Sequence, residues 1–325
     1  MKILYGYRDL QKELRDPIVA IGVFDGIHIG HMRVINKVLS FRSPARDKAI
    51  VTFDPHPLAI IRPGKHPPRI MSLEHRLSIF EKMKLDAVII LRFTPFIAQM
   101  SPEEFVKRVL GGIGTRTVYV GNNFYFGRGR RGDVNVFRKI GRAQGIDIKT
   151  VQPVKKKGKI VSSTWLRGLI SKGKIDRARE LLRRPVSVFG TVVKGDKRGS
   201  GFGVPTANID PHHEVVPPPG VYAVKVDTGT GLFDGVLNIG FKPTFYGRKL
   251  RKRKEPWIEV HIINFRGNIY GHLLEIFFIK RLRQEKKFRN EKALKLQIEA
   301  DLRQTREVLE GNRAVRKIGK YRTRW

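Results

Sequence analysis

Ten residues, Gly22-Val-Phe-Asp-Gly-Ile-His-Ile-Gly-His31, carry the densest chemistry in the chain. His28 and His31 stand three apart behind an Asp25-Gly26 turn, and an apolar-periodic segment, Met32 to Leu39, follows them. An apolar run from Ile18 to Phe24 precedes the turn, so the pattern reads strand, tight turn, helix. A helix N-terminus offers unpaired N–H groups and partial positive charge to an anion. Two imidazoles at that end, with Gly22 and Gly30 permitting close approach, could hold the α- and β-phosphates of a nucleotide through transfer. A bare H-x-x-H equally describes two surface histidines beside a turn. The strand–turn–helix context and the strings downstream favour the phosphate site.

Val161-Ser-Ser-Thr-Trp-Leu-Arg167 follows the basic loop Lys155-Lys-Lys-Gly-Lys159 and opens an apparent helix. Ser163, Thr164 and Arg167 would there meet a leaving pyrophosphate, although a Ser cap with a surface arginine reads the same way. Val51-Thr-Phe-Asp-Pro-His-Pro57 ends a strand at the carboxyl edge, where open parallel sheets bind ligands. Gly121-Asn-Asn-Phe-Tyr-Phe-Gly127 also follows a strand. Its Asn123 suits a base edge or a ribose, and its aromatics either cover a ring or pack in the core.

The second half opens on Gly195-Asp-Lys-Arg-Gly-Ser-Gly-Phe-Gly-Val-Pro-Thr-Ala-Asn208. Glycines such as Gly195 and Gly203 let the backbone approach phosphate oxygens, and Lys197 and Arg198 add charge. Thr206 and Asn208 are hard oxygen ligands suited to a Mg²⁺–ATP unit, with a plain hairpin loop as the alternative. In Trp257-Ile-Glu-Val-His-Ile-Ile-Asn-Phe265, alternation puts Glu259 on one face with Trp257, His261 and Ile263. Such a carboxylate is either an ion-paired structural group or a base of raised pKa, which phosphoryl transfer to a hydroxyl requires. Two other strings imitate motifs. Gly127-Arg-Gly-Arg-Arg-Gly132 is a weak dinucleotide fingerprint, and Gly168-Leu-Ile-Ser-Lys-Gly-Lys174 lacks both the following Ser/Thr and a leading strand.

The elements that must position these groups fall into two kinds. Strand-like runs at 18–24, 49–53, 87–92, 117–120 and 146–151 alternate with helical runs at 32–39, 72–83, 102–110 and 134–144. That alternation predicts a parallel sheet flanked by helices. After Pro185 come short strands between glycine and proline turns, at 186–193, 221–226, 235–239, 257–263 and 273–279, which predict an antiparallel barrel or sandwich. A terminal helix presents Leu294, Ile298, Leu302, Thr305 and Leu309 on one face.

Composition narrows the classes. The 325 residues suffice for two cored domains, and the absence of cysteine excludes disulfides, thiolate nucleophiles and cysteine-held metals. No apolar run reaches membrane-spanning length and the first residues lack a signal-peptide core, so a cytoplasmic protein without membrane contact is expected. The net charge of +36 is unusual, with 37 basic against 15 acidic side chains in residues 1–184 and 28 against 14 in the rest. Such a field predicts non-specific polyanion binding at low salt and leaves a nucleic-acid-binding protein as the rival reading. No helix-turn-helix, zinc-finger or RNP-type string supports that rival.

The order of strings in the first half, G-x-F-D-G-x-H-x-G-H, T-F-D-P-H-P, G-x-N-F-x-F-G and S-S-T-x-x-R, resembles the adenylyltransferase module of the bacterial bifunctional riboflavin kinase/FAD synthetases. The second half is similar to that family's riboflavin kinase module, through P-T-A-N, G-V-x-N-I-G-x-x-P-T-F, E-x-H-I-x-x-F, Y-G-x-x-L and L-R-x-E-x-K-F. The resemblance implies a Rossmann-like nucleotidylyltransferase α/β domain at 1–184, and an all-β antiparallel barrel with its terminal helix and basic tail at 185–325. It implies riboflavin, FMN, FAD and ATP as substrates and products, with Mg²⁺ required and the oligomeric state open. It further implies His28, His31, Arg167 and Glu259 as catalytic residues. Gly22, Phe24, Asp25, Gly30, Asn123, Ser163, Thr164, Gly195, Lys197, Gly203, Thr206 and Asn208 would serve the nucleotides, the last pair also the metal. Phe53, Asp54, Pro55, Phe124 and Arg283 would serve the flavin. An enzyme with one inactive half remains an alternative. The chain departs from the family pattern at Val204, at Asn264 and Asn268 where aspartates are common, and at Leu182-Arg-Arg184 where Leu-Gly-Arg is usual.

Overall fold

The computed structural model describes residues 1–194, 204–240, 257–310 and 318. Their contacts divide the chain into two compact units, one of residues 1–69 and 73–163, the other of residues 70–72 and those from 164 onward.

The first unit holds a six-stranded sheet of order β1-β4-β3-β2-β5-β6, parallel throughout. Its strands are β1 (Lys2–Tyr5), β2 (Ile18–Ile21), β3 (Lys48–Asp54), β4 (Ala87–Arg92), β5 (Thr117–Gly121) and β6 (Asp147–Val151). Continuous apolar runs such as Ile18–Ile21 and Ala49–Phe53 are buried along their length, as strands covered on both faces must be. Covering helices are α1 (Ile29–Leu39), α2 (Pro57–Ile61), α3 (Leu73–Glu81), α4 (Pro95–Gln99), α5 (Pro102–Glu104), α6 (Gly111–Ile113) and α7 (Val134–Ala143). Between α5 and α6, the segment Phe105–Leu110 winds as a π-helix. The short hairpin β7 (Lys155–Lys156) and β8 (Lys159–Ile160) forms from the basic loop. The chain leaves β2 toward β3 on one side, whereas it leaves the adjacent β5 toward β6 on the other. That reversal makes the carboxyl ends of β2 and β5 a topological switch point, where open parallel sheets bind ligands.

In the second unit, α8 (Ser163–Ser171), apart from its first residue, and α9 (Ile175–Leu182) precede a closed antiparallel barrel of order β10-β13-β12-β11-β14-β9. Its strands are β9 (Val186–Val193), β10 (Ala207–Asp210), β11 (Gly220–Asp227), β12 (Leu232–Gly240), β13 (Trp257–Ile262) and β14 (Leu273–Arg283). Alternation is strict on β9 and β13, which turn Val186, Val188 and Val192, and Ile258, Val260 and Ile262, into the interior. Helix α10 (Glu291–Glu310) packs on β11, β12 and β14 with Thr305 and Leu309 buried.

The α/β-plus-barrel architecture is the one expected. Four strands (β1, β7, β8 and β10) and several short helices escape the sequence patterns, and β2 ends three residues early, at Ile21. Phe24 is the reason for the early stop. Its φ of +52° belongs to the left-handed region, outside the extended strand conformation.

Candidate functional site

The turn after β2 is strained. Phe24, Gly26 and Ile27 have φ of +52°, +89° and +40°, and Ile27 is β-branched. Left-handed non-glycine residues cost on the order of 1–3 kcal/mol each and persist only where the surroundings over-determine them. Here the Phe24 and Ile27 side chains are buried and the Ile27 N–H donates to the Phe24 carbonyl at 3.1 Å. Gly22 is required beside them, since a Cβ there would lie 2.9 Å from the Phe24 ring.

This turn delivers His28 to the N-cap of α1, where its Nδ1 accepts from the His31 N–H at 3.2 Å. In the neutral ring that bond leaves the proton on Nε2, a donor. The imidazoles of His28 and His31 stack at 3.7 Å, and the Phe24 ring meets His31 edge-on at 5.4 Å. Gly30 makes room: a Cβ would stand 3.0 Å from the His28 ring. His31 Nδ1 is shielded from solvent without a hydrogen-bond partner. Burial, then His28, then Arg76 hold the His31 pKa well below 6.5, so its ring is neutral. Asp25 is buried, and its carbonyl accepts from the Ser163 hydroxyl at 2.8 Å, at the first residue of α8. Thr164 and Arg167 continue along that helix within the second unit.

At the end of β3, Phe53 packs against Phe93 in the core. The Asp54–Pro55 peptide is cis. Asp54 lies 3.5 Å from Arg76, whose guanidinium also donates to Val23 O, Thr52 Oγ1 and Phe53 O. After β5, Asn123 is exposed at the edge, whereas Phe124 stacks on Phe126 and Phe137 in the core. Tyr125 is the exposed aromatic there, with Arg130 over its ring at 4.5 Å. Thus the strings after β2, β3 and β5 emerge at adjacent strand ends, and the aromatics assigned to ligands are largely structural.

In the barrel, Asn208 pairs with Glu259 across β10 and β13, and Glu259 with Asn238 across β13 and β12. Directly opposed residues share a face, so these three polar groups form a row outside the apolar interior. Trp257 Nε1 donates to Glu259 Oε1 at 2.7 Å and fixes that carboxylate. His261 Nδ1 lies 2.7 Å from the Pro205 carbonyl and pins the chain just before Thr206. Asn208 is buried, and its Oδ1 has no hydrogen-bond partner. A hard, orphaned oxygen of this kind fits a divalent cation. Arg283 is committed to Asp301, with Nε to Oδ1 at 2.9 Å and Nη2 to Oδ2 at 2.7 Å. Gly195, Lys197 and Gly203 lie outside the described residues.

Two family models match: FAD synthetase over residues 10–165 and riboflavin kinase over 182–309. The bifunctional riboflavin kinase/FMN adenylyltransferase of Bacillus subtilis is 32% identical over 309 residues, 92% of this chain and 94% of that one. This chain belongs to that bifunctional family. Family members from Pseudomonas fluorescens and Escherichia coli K12 are 33% and 32% identical, each covering 93% of this chain and 96% of its own. A crystal structure described as a macrolide-efflux protein from Streptococcus pneumoniae superposes with a TM-score of 0.78 at 26% identity, covering 94% of this chain and 99% of that one. No described helix of this family member is long and apolar enough to cross a membrane.

Sequence reasoning missed Arg76, Asp301 and the Trp257–Glu259 bond. Each had a faint signal: an arginine or aspartate at a helix position whose neighbours are core, and an indole two residues from a carboxylate on one strand face.

Proposed function

We infer that the chain performs two consecutive reactions: riboflavin and ATP give FMN and ADP, and FMN and a second ATP give FAD and pyrophosphate. The kinase is assigned to residues 185–325 and the adenylyltransferase to residues 1–184. Carrying the reading is one observation, the row in which Asn208, with its orphaned Oδ1, stands opposite an indole-fixed Glu259.

In the kinase, Glu259 takes the proton of the ribityl 5′-hydroxyl as that oxygen attacks the γ-phosphorus of ATP. Trp257 holds one carboxylate oxygen, so the other accepts the proton. Thr206 and Asn208 would hold Mg²⁺, which when bound with ATP neutralises charge on the phosphate oxygens. Arg283, oriented by Asp301, would approach the flavin. The glycine-rich stretch with Gly195, Lys197 and Gly203 would cradle the phosphates.

In the transferase, the FMN phosphate is already an anion and needs no base. His28, His31 and the start of α1 stabilise the α-phosphate as its fifth bond forms, and Ser163, Thr164 and Arg167 receive the departing pyrophosphate. Gly22, Asp25, Gly30 and Asn123 line the nucleotide side, and Asp54 and Pro55 the flavin side. Phe24, Phe53 and Phe124 shape the site from the core. A cytoplasmic location fits these substrates, and the +36 field attracts nucleotides and other polyanions in a salt-dependent way. The test is incubation with riboflavin, ATP and Mg²⁺ followed by chromatography. FMN and then FAD should accumulate, and the absence of both overturns the reading.

A further inference from the structure

The last ladder bond between β2 and β3 runs from the Gly22 N–H to Val51 O, at 3.1 Å. Beyond it the two chains diverge, one toward His28 and the other toward Asp54. Val23 O, just past the ladder, is nevertheless doubly bonded. It accepts from Thr52 Oγ1 at 3.1 Å and from Arg76 Nη1 at 2.9 Å. The same Nη1 donates to Thr52 Oγ1 at 2.7 Å, while Nη2 donates to Phe53 O at 3.2 Å and lies 3.5 Å from Asp54 Oδ1. Arg76, on α3, is only 4% exposed.

We propose that Arg76 is a positioning residue for adenylyl transfer: its buried guanidinium replaces the β2–β3 ladder where the two substrate-binding segments part, and fixes their separation. The proposal deepens the transferase reading above and rests on it. The phosphate-holding histidines leave from one chain end, and the flavin-side Asp54–Pro55 segment leaves from the other. In-line attack of one substrate's phosphate on the other's needs those ends held to a fraction of an ångström. Arg is the residue type for this work. A planar fork with five donors can span both chain ends at once, whereas a lysine presents three donors from a single point.

A burying pocket for a cation is costly unless the charge is balanced. Here burial pushes the Arg76 pKa down, with Arg69 adding to it, while the carboxylates of Asp54, Asp25 and Glu74 oppose that shift and favour the charged guanidinium. Its charge also reaches His31 and helps to keep that ring neutral. The clamp therefore couples the geometry of both segments to the protonation of the phosphate site.

The experiment uses the full chain and two substitutions, Arg76→Lys and Arg76→Met. FAD formation from supplied FMN, FMN formation from riboflavin, thermal melting and the His31 imidazole titration by NMR are followed for each. Arg76→Lys should lower kcat for FAD formation on the order of 10²-fold. KM for ATP should change less than about threefold, and FMN formation should stay within twofold, since a correctly bound ATP is still poorly aimed. The His31 titration should stay low in Arg76→Lys, which keeps the cation, and rise in Arg76→Met, which removes it. A kcat within threefold of wild type in Arg76→Lys overturns the proposal. So does a parallel fall of both activities with the melting temperature, the mark of a merely structural brace. If wild-type protein makes no FAD from FMN, the transferase reading falls instead. The clamp is then judged by NMR, and unshifted Gly22 and Asp54 amide resonances in Arg76→Lys overturn it.

Discussion

Asn208 stands directly opposite Glu259 on the neighbouring strand, and this pair joins the would-be metal ligand to the would-be base of the kinase. Glu259→Gln keeps the shape and the indole contact but cannot take a proton. FMN formation should fall by about 10²–10⁴-fold, while FAD formation from supplied FMN persists. Chromatography of both reactions checks this. Loss of both activities would contradict two separate sites.

The His31 titration has a defined sign. Its folded pKa is depressed, so the unfolded chain, with an imidazole near 6.5, binds a proton first as pH falls. The stability linked to this ring is whole above pH 6.5 and is lost as pH drops through the lower folded value, with a slope of up to about 1.4 kcal/mol per pH unit. His31→Asn should flatten the change in urea midpoint between pH 7 and pH 5. It should also abolish FAD formation while leaving FMN formation intact. An unchanged pH dependence would refute the assignment.

Arg183 caps α9 at φ +59° and is exposed. A glycine adopts that conformation without a Cβ clash, whereas an L side chain pays roughly 1–2 kcal/mol. Arg183→Gly should therefore raise stability by about 1 kcal/mol, read as an increase of a few degrees in melting temperature. A decrease would show that the arginine side chain contributes more than its backbone costs.

Asp301 ties α10 to the barrel through Arg283, and the pair is nearly buried on the aspartate side. Removing one partner strands the other charge. Asp301→Ala should cost about 3 kcal/mol in urea unfolding and raise KM for riboflavin as Arg283 loosens. Arg283→Met combined with Asp301→Leu should restore most of the stability but not the KM. Recovery of both would deny Arg283 any part in flavin binding.

Much of this was legible from residue order. Fully buried runs such as Ala87–Arg92 and strict alternation such as Val186–Val193 leave one register that hides the apolar side chains, and both strands appear with those bounds. β10 was not legible, because Ala207–Asp210 is four residues long and half polar, and its pairing comes from the strands on either side. Asp301 falls on the same helical stripe as Ile298 and Thr305, so a charge inside an apolar stripe was the available sign of its partner. In the first unit the histidine pair was legible. Phe124 was not, since an aromatic that stacks on Phe126 and Phe137 has the same sequence signature as one that covers a ligand.

Asn208 belongs to both ladders of β10, against Val193 on one side and Glu259 on the other, so the barrel's shortest strand is the seam that shuts it. A nucleotide gripped there, as proposed, would amount to fastening a clasp. On the proposed kinase reading, a cation held by Asn208 would bear on that join as well, so one amide side chain would serve both the nucleotide and the closure of the cylinder.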